Sequence, residues 1–166
     1  WACGVLMSSK IIKKIRQKAI QLGFDLCGFT KDFAPTHKEY FLSWLHEKKY
    51  AGMTWLGKNV DKRLNPDKIL PGAKSAIVVG VSYNHEPVVG DYEVARYAHG
   101  KDYHLWMKEK LEELARFIKA DIDENFCWRS FVDTGPFMER DLAAKAGLGW
   151  IGKNTCLLNV DAGSYV

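Results

Sequence analysis

The unbroken apolar run Ala76-Ile77-Val78-Val79-Gly80-Val81 constrains this chain more than any other feature. Four of its residues are β-branched, which favours an extended strand. No polar residue alternates along it, so both faces of the strand have to be covered. Helical repeats on either side can supply the cover. Ile11, Ile12, Ile15, Ala19 and Leu22 share one face of a helix that Ser8 or Ser9 caps and Gly23 stops. Met107, Leu111, Leu114 and Ile118 recur at helical spacing between a cap at Asp102 and Lys119.

The rest of the chain continues the alternation. Strands are expected over 24–29, 75–83, 127–132 and 155–159. Helices are expected over 35–48, 64–70 and 137–146. Phe41, Trp44 and Leu45 face inward in the first of these, and Met138, Leu142 and Ala146 share a face in the last. Residues 84–91 read as a loop around Pro87 and Gly90, and 92–97 as a short strand or extended segment. Alternating helices and strands define an α/β chain, a layered α/β domain with a mixed central sheet flanked by helices.

At 166 residues, 47% hydrophobic and 27% charged, the chain fits one soluble domain with a real core. No apolar run approaches the roughly 20 residues that span a bilayer, so no membrane contact is expected. The net charge of +4 favours an anionic partner only weakly. Met7 reads as the native start, residues 1–6 as a leader foreign to it, and residues 7–166 as the domain. Gly163-Ser164-Tyr165-Val166 halts inside what reads as a strand, so the natural protein is expected to continue past Val166. The four cysteines, Cys3, Cys27, Cys127 and Cys156, are far apart with no Cys-x-x-Cys. That is the pattern of reduced thiols in a cytoplasmic protein rather than of a metal site.

Chemistry concentrates in Val132-Asp133-Thr134-Gly135-Pro136, followed by Glu139-Arg140. It places an acid at a strand end, where ligand crevices of α/β sheets lie. Asp133 could cap the next helix, which would lower its proton affinity, or act as a general acid, which burial under an apolar ligand would favour. Gly147-Leu148-Gly149-Trp150-Ile151-Gly152 matches G-x-G-x-x-G by letter, but a helix precedes it and a strand follows. That is the wrong context for dinucleotide binding, so the glycines are read as allowing tight turns and close backbone approach to a ligand. Arg96-Tyr97-Ala98-His99-Gly100-Lys101-Asp102-Tyr103-His104 reads as a ligand-facing loop. Its two histidines lack a third metal ligand nearby. Lys10, Lys13, Lys14, Arg16 and Lys18 are either a solvated helix face or an RNA-phosphate contact. Gly52-Met53-Thr54-Trp55-Leu56 and Lys62-Arg63-Leu64-Asn65-Pro66 are either a substrate lip or packing.

Taken together, these motifs resemble epoxyqueuosine reductase, in order and spacing, from about Ser9 to Val166. The resemblance rests on residues 132–136, Arg140, 146–154, 163–166, 96–104, 62–66 and 70–74. It implies a cobalamin-binding amino-terminal domain of the cobalamin-dependent reductase type. In the family a ferredoxin-like domain with two 4Fe-4S clusters follows, and the epoxide of epoxyqueuosine at the tRNA wobble position is reduced to queuosine. Asp133 matches the family's proton donor. Arg63, Tyr97, Lys153 and Asn154 lie in motifs that, by similarity, surround the corrin. tRNA, through its anticodon loop, is the implied partner.

No cluster cysteines are present, so this chain by itself is expected to bind cobalamin weakly and not to turn over. Two other classes stay open: a small-molecule cobalamin reductase such as a dehalogenase, and a corrinoid- or RNA-binding module without catalysis. The basic balance and the cysteine pattern favour the tRNA enzyme.

Overall fold

The apolar run does form a strand; helices pack on one of its faces and cover the other only in part, where Val78 lines a cleft. In a computed structural model, which describes residues 2–3, 8–86 and 94–166, β2 (Leu26–Thr30) pairs antiparallel with β3 (Ala76–Gly80). Helix α1 (Ser9–Gln21) packs beside β2, and its Ser8 cap accepts a hydrogen bond from the Ile11 N–H. Gly23 follows it with φ 97°, the left-handed conformation that ends helices. Helix α4 (Tyr103–Asp121) lies across α1. Between them Ile15, Ala19, Leu22, Phe24, Leu114 and Ile118 are buried, with Ile77 and Val79 of β3 packed against the cluster. The opposite face of the ladder meets α5 (Glu139–Lys145). A Cβ on Gly28 would come within 2.5 Å of the Ala146 carbonyl oxygen, so β2 and the end of α5 touch through bare backbone.

The chain is thus α/β, but the mixed central sheet expected from sequence is corrected: no described strand has more than one partner and no described pair is parallel. Its described strands form three two-stranded antiparallel ladders. β1 (Ala2–Cys3) pairs with β4 (Cys127–Trp128), and β5 (Trp150–Ile151) with β6 (Leu157–Leu158). Of the leader expected over 1–6, residues 1 and 4–6 lie outside the described residues, as does Met7. Residues 87–93 lie outside them too, with most of the expected loop and the first two residues of the expected extended segment. Arg96–Ala98 is a 3-10 turn rather than a strand.

Several expectations are corrected. The helix foreseen over 64–70 is split: α3 (Val60–Leu64) stops and a 3-10 turn, Pro66–Lys68, follows. Asn65 precedes a proline, whose ring drives it out of the helical region to φ −130° and ψ 84°. The strand foreseen over 127–132 pairs only as far as Trp128. Beyond it side chains replace the ladder. Glu112 of α4 accepts from Trp128 Nε1 at 3.0 Å and from the Ser130 hydroxyl, and Arg129 donates to the Ile69 carbonyl at 3.1 Å. Helix α2 (Lys38–His46) is shorter than foreseen and buries no residue fully, since Phe41 stands on the wall of a cleft.

Candidate active site

The anchored segment 129–132 ends in a sharp turn. Asp133 has φ 52°, and the Thr134 N–H donates to the Val132 carbonyl at 2.6 Å across it. Left-handed backbone costs an L residue on the order of 1–3 kcal/mol, and aspartate is among the side chains that tolerate it best. The turn leaves the Asp133 side chain 55% exposed. Asp133 does not cap α5, because Met138 holds that position with no side-chain cap bond. Of its two sequence readings, capping is therefore set aside.

Asp133 stands at a cleft of about 820 Å³. Met107 and Leu111 of α4 and Val78 of β3 give it an apolar wall, while Arg63, Glu139 and Arg140 supply charge. Thr155, also on the wall, has φ 64°, an outlier for a β-branched residue. Arg140 donates to both its carbonyl and its hydroxyl, the latter at 3.2 Å. Two strained residues thus face one cleft, as functional sites often show.

Around the acid, the Tyr103 hydroxyl donates to Asp133 Oδ2. Burial, and then that bond, push the Tyr103 phenol well above its ordinary range, so it stays a donor. His104 stacks on Tyr103 at 4.2 Å, with Nε2 3.9 Å from Asp133 Oδ2 and Nδ1 2.8 Å from Asp102. Glu139 lines the same cleft as Asp133. Burial, then the Asp133 charge, push its carboxyl up to about 8, against the opposing pull of Arg140 and Arg63.

The residues singled out for the cofactor fall in different places. Arg63 lines the cleft with Asp133, and its Nε is buried without a hydrogen-bond partner among the described residues. Tyr97 is 58% exposed and meets the ring of Tyr83, a wall residue, edge-on at 6.2 Å. Lys153 and Asn154 are exposed in the β5–β6 turn and do not line the cleft, although Ile151 and Thr155 beside them do.

The glycine motif opens a hairpin, with no helix after it. Gly149 makes a close approach within the protein: a Cβ on it would meet the Leu158 carbonyl oxygen. The histidines part company, His99 against His85 at 5.8 Å and His104 toward Asp133. Three of the basic residues of α1 are engaged internally. Lys14 donates to the Asp121 carbonyl and Arg16 to that of Cys27, and Lys18 lies 3.9 Å from Glu113. Trp55 is 57% exposed, so its stretch is not ordinary packing. Tyr103 and Glu139 were given no role from sequence. The one available signal for Glu139 was an acid just past the Gly-Pro turn that follows Asp133.

The family model described as "Epoxyqueuosine reductase QueG, DUF1730" matches residues 63–134, from Arg63 through the turn of the acid. The epoxyqueuosine reductase of Xanthomonas campestris pv. campestris is 38% identical over 161 residues, covering 92% of this chain and 45% of that protein. The structure of epoxyqueuosine reductase from Streptococcus thermophilus matches with a TM-score of 0.81 at 30% identity, over 96% of this chain and 44% of that one. An epoxyqueuosine reductase crystallised with a tRNA-Tyr epoxyqueuosine-modified tRNA stem loop matches with a TM-score of 0.79 at 27% identity, over 95% and 43%. The chain spans about half the length of the relatives it matches. In sequence and in fold alike, the chain is similar to the epoxyqueuosine reductases over more than nine-tenths of its own length.

Proposed function

We propose that this chain is the cofactor-binding catalytic part of an oxidoreductase that converts epoxyqueuosine to queuosine in cytoplasmic tRNA, with Asp133 as proton donor. The observation that carries this is the placing of Asp133: a strained turn presents its carboxyl at a large, apolar-walled cleft, where it accepts a hydrogen bond from the Tyr103 hydroxyl. The relative crystallised with a tRNA stem loop supports RNA as the carrier of the substrate. Bases of an anticodon loop are unpaired and can be splayed into such a cleft.

The residues present fit cobalamin. The cleft, at about 820 Å³, would seat part of the group rather than enclose it. Its wall is apolar, and the unpartnered Arg63 Nε could donate to an amide or phosphate oxygen. Arg63 would hold the group from the wall, with Tyr97 at the rim and Lys153 and Asn154 in the β5–β6 turn. When bound, the corrin supplies the electrons that open the epoxide, drawn from two 4Fe-4S clusters in the complete protein. Asp133 would give the ring-opened oxygen one proton and, reprotonated from water, a second as the remaining C–O bond breaks, so that the oxygen leaves as water and a carbon–carbon double bond forms with the two electrons supplied. Tyr103 holds Asp133 in place, and the apolar wall keeps bulk water from the reacting atoms.

The test has two arms. Cobalamin is titrated into the chain by absorbance, with Arg63→Ala expected to weaken binding. Conversion of epoxyqueuosine in tRNA is then read by nucleoside mass spectrometry, in this chain completed with the remaining half of the Xanthomonas campestris relative. Asp133→Asn should abolish conversion and keep cobalamin bound. A chain that takes up no cobalamin, or an Asp133→Asn protein that converts as well as the native one, overturns the reading.

A further inference from the structure

Large apolar side chains left exposed on a folded chain are ordinarily scattered singly, and a group of them marks a surface that something covers. Tyr40, Met53 and Trp55 form such a group: all three are exposed, Tyr40 by 70%. The segment that carries Met53 and Trp55 is tied to the cleft of Asp133 at both ends. At its start the Met53 N–H donates to the Tyr50 carbonyl at 2.9 Å, the Tyr50 ring meets Trp44 at 5.9 Å, and Trp44 stacks on Phe41 of the cleft wall at 6.5 Å. At its end the 3-10 turn Thr54–Gly57 leads into α3, whose Arg63 stands on the same wall. Tyr40 lies on that wall itself, next to Phe41 in α2. The group thus extends outward from the cleft.

The free charge around it is positive. Glu47 is taken up by Lys49 at 2.6 Å and by the Ser43 hydroxyl at 2.7 Å, and Asp61 by Lys68 and, at 2.8 Å, by Asn65. Lys48, Lys58 and Lys62 are exposed and, among the described residues, their side chains have no partner. Glu39 and Asp67 are the acids that remain along 38–68, against these three lysines, Lys38 and Arg63. Exposed rings set among unpaired lysines fit single-stranded RNA: bases stack on the rings, and the lysines meet the phosphates between them. An apolar protein surface laid over the same group would strip water from the lysines without pairing them.

We infer that Tyr40, Met53 and Trp55, with Lys58 and Lys62, form a stacking platform for the unpaired RNA nucleotides on either side of the one that enters the cleft. The inference rests on the reading of RNA as the carrier of the substrate. The platform replaces base-on-base stacking in the loop with base-on-ring stacking, which leaves the target nucleoside free to turn toward Asp133.

Anisotropy titrations of a labelled tRNA-Tyr stem loop, and of a fully paired RNA duplex of the same length, test the platform in the chain completed with the remaining half of the Xanthomonas campestris relative. Trp55→Ala should weaken binding of the stem loop about 10-fold and leave the duplex unchanged. Its urea midpoint should stay that of the native protein, because the ring is exposed. Trp55→Phe should restore most of the loss. Lys58→Ala combined with Lys62→Ala should weaken both RNAs and flatten the salt dependence. A Trp55→Ala protein that binds the stem loop as the native one does, or that loses both RNAs equally, overturns the platform and spares the RNA reading. A native protein that binds neither RNA removes that reading and the platform with it. Hydroxyl-radical footprinting separates RNA from a protein occupant. Met53 and Trp55 should be oxidised freely in the completed protein and protected once the stem loop is added. Protection before RNA is added would mean that protein covers them, and overturns the inference.

Discussion

The Tyr103 hydroxyl donates to Oδ2 of Asp133, so the first residue of α4 steadies the strained turn that carries the acid. Tyr103→Phe keeps the ring and its 4.2 Å stack on His104 and removes only the donor. A hydrogen bond to a charged group is worth roughly 1.5–3 kcal/mol, or about a 10- to 100-fold change in rate. On the proposed reading of Asp133 as proton donor, conversion by the chain completed with its relative's remaining half should slow by that factor with KM nearly unchanged, since the bond then orients the donor rather than the substrate. Steady-state kinetics would contradict this by showing a change in KM alone.

Folding raises the Glu139 carboxyl from its ordinary 4.5 to about 8, because burial and the Asp133 charge both oppose ionisation. The folded chain therefore binds this proton more tightly than the unfolded one. The stability it contributes is complete below pH 4.5 and is lost as pH rises to about 8. Urea midpoints measured from about pH 5 to about pH 9 should fall further for the native chain than for Glu139→Gln. Above the upper limit the variant should be the more stable of the two, since it has no buried charge to tolerate. Parallel curves would show that Glu139 ionises equally well folded and unfolded.

What could be read from sequence was what depends on neighbours in the chain. The β3 run, the Ser8 and Asp102 caps and the apolar stripes of α1 and α4 are local patterns, and each lies where its pattern put it. The 127–132 segment has the composition of a strand, but whether it pairs depends on what lies alongside, and past Trp128 Glu112 takes the place of a ladder. Asp133 stood out by its residue type and its turn. Its neighbours on the cleft did not, because Tyr103 comes from a helix thirty residues earlier and Glu139 returns only through the Gly135-Pro136 bend. Gly135 is buried under the Phe137 ring with no room for a Cβ, a close approach the letters alone do not reveal.

Two glycines should respond in opposite ways to alanine. A Cβ on Gly149 would lie 2.1 Å from the Leu158 carbonyl oxygen, which is backbone and held in the β5–β6 hairpin. The hairpin would have to open, at a cost of about 1–3 kcal/mol or more. A Cβ on Gly52 would meet nothing within 4 Å. Gly52→Ala should therefore stay within about 0.5 kcal/mol of the native chain, while Gly149→Ala lowers the urea midpoint. Equal midpoints for the two variants would mean that the hairpin yields freely. Gly149→Ala should also disturb Thr155, the strained partner of Arg140 on the cleft wall.

Asp141 is 3% exposed, and it ties α5 to the start of α2. Its Oδ2 accepts from the His37 backbone N–H at 3.2 Å, and its Oδ1 lies 2.5 Å from His37 Nδ1. His37 precedes α2 without a side-chain cap bond of its own, and no α2 residue is fully buried, so this carboxyl does much of the anchoring. Asp141→Ala should cost about 2–3 kcal/mol, the scale of losing hydrogen bonds to a charged acceptor. In a chain of this length that lowers Tm by roughly 4–12 °C. His37→Ala should cost less, because its backbone N–H still reaches Asp141. Amide exchange along 38–46 should quicken in Asp141→Ala well before exchange in the α1–α4 core does. Equal thermal shifts for the two variants would place the anchoring in the imidazole instead, and a Tm unchanged in Asp141→Ala would remove the tie altogether.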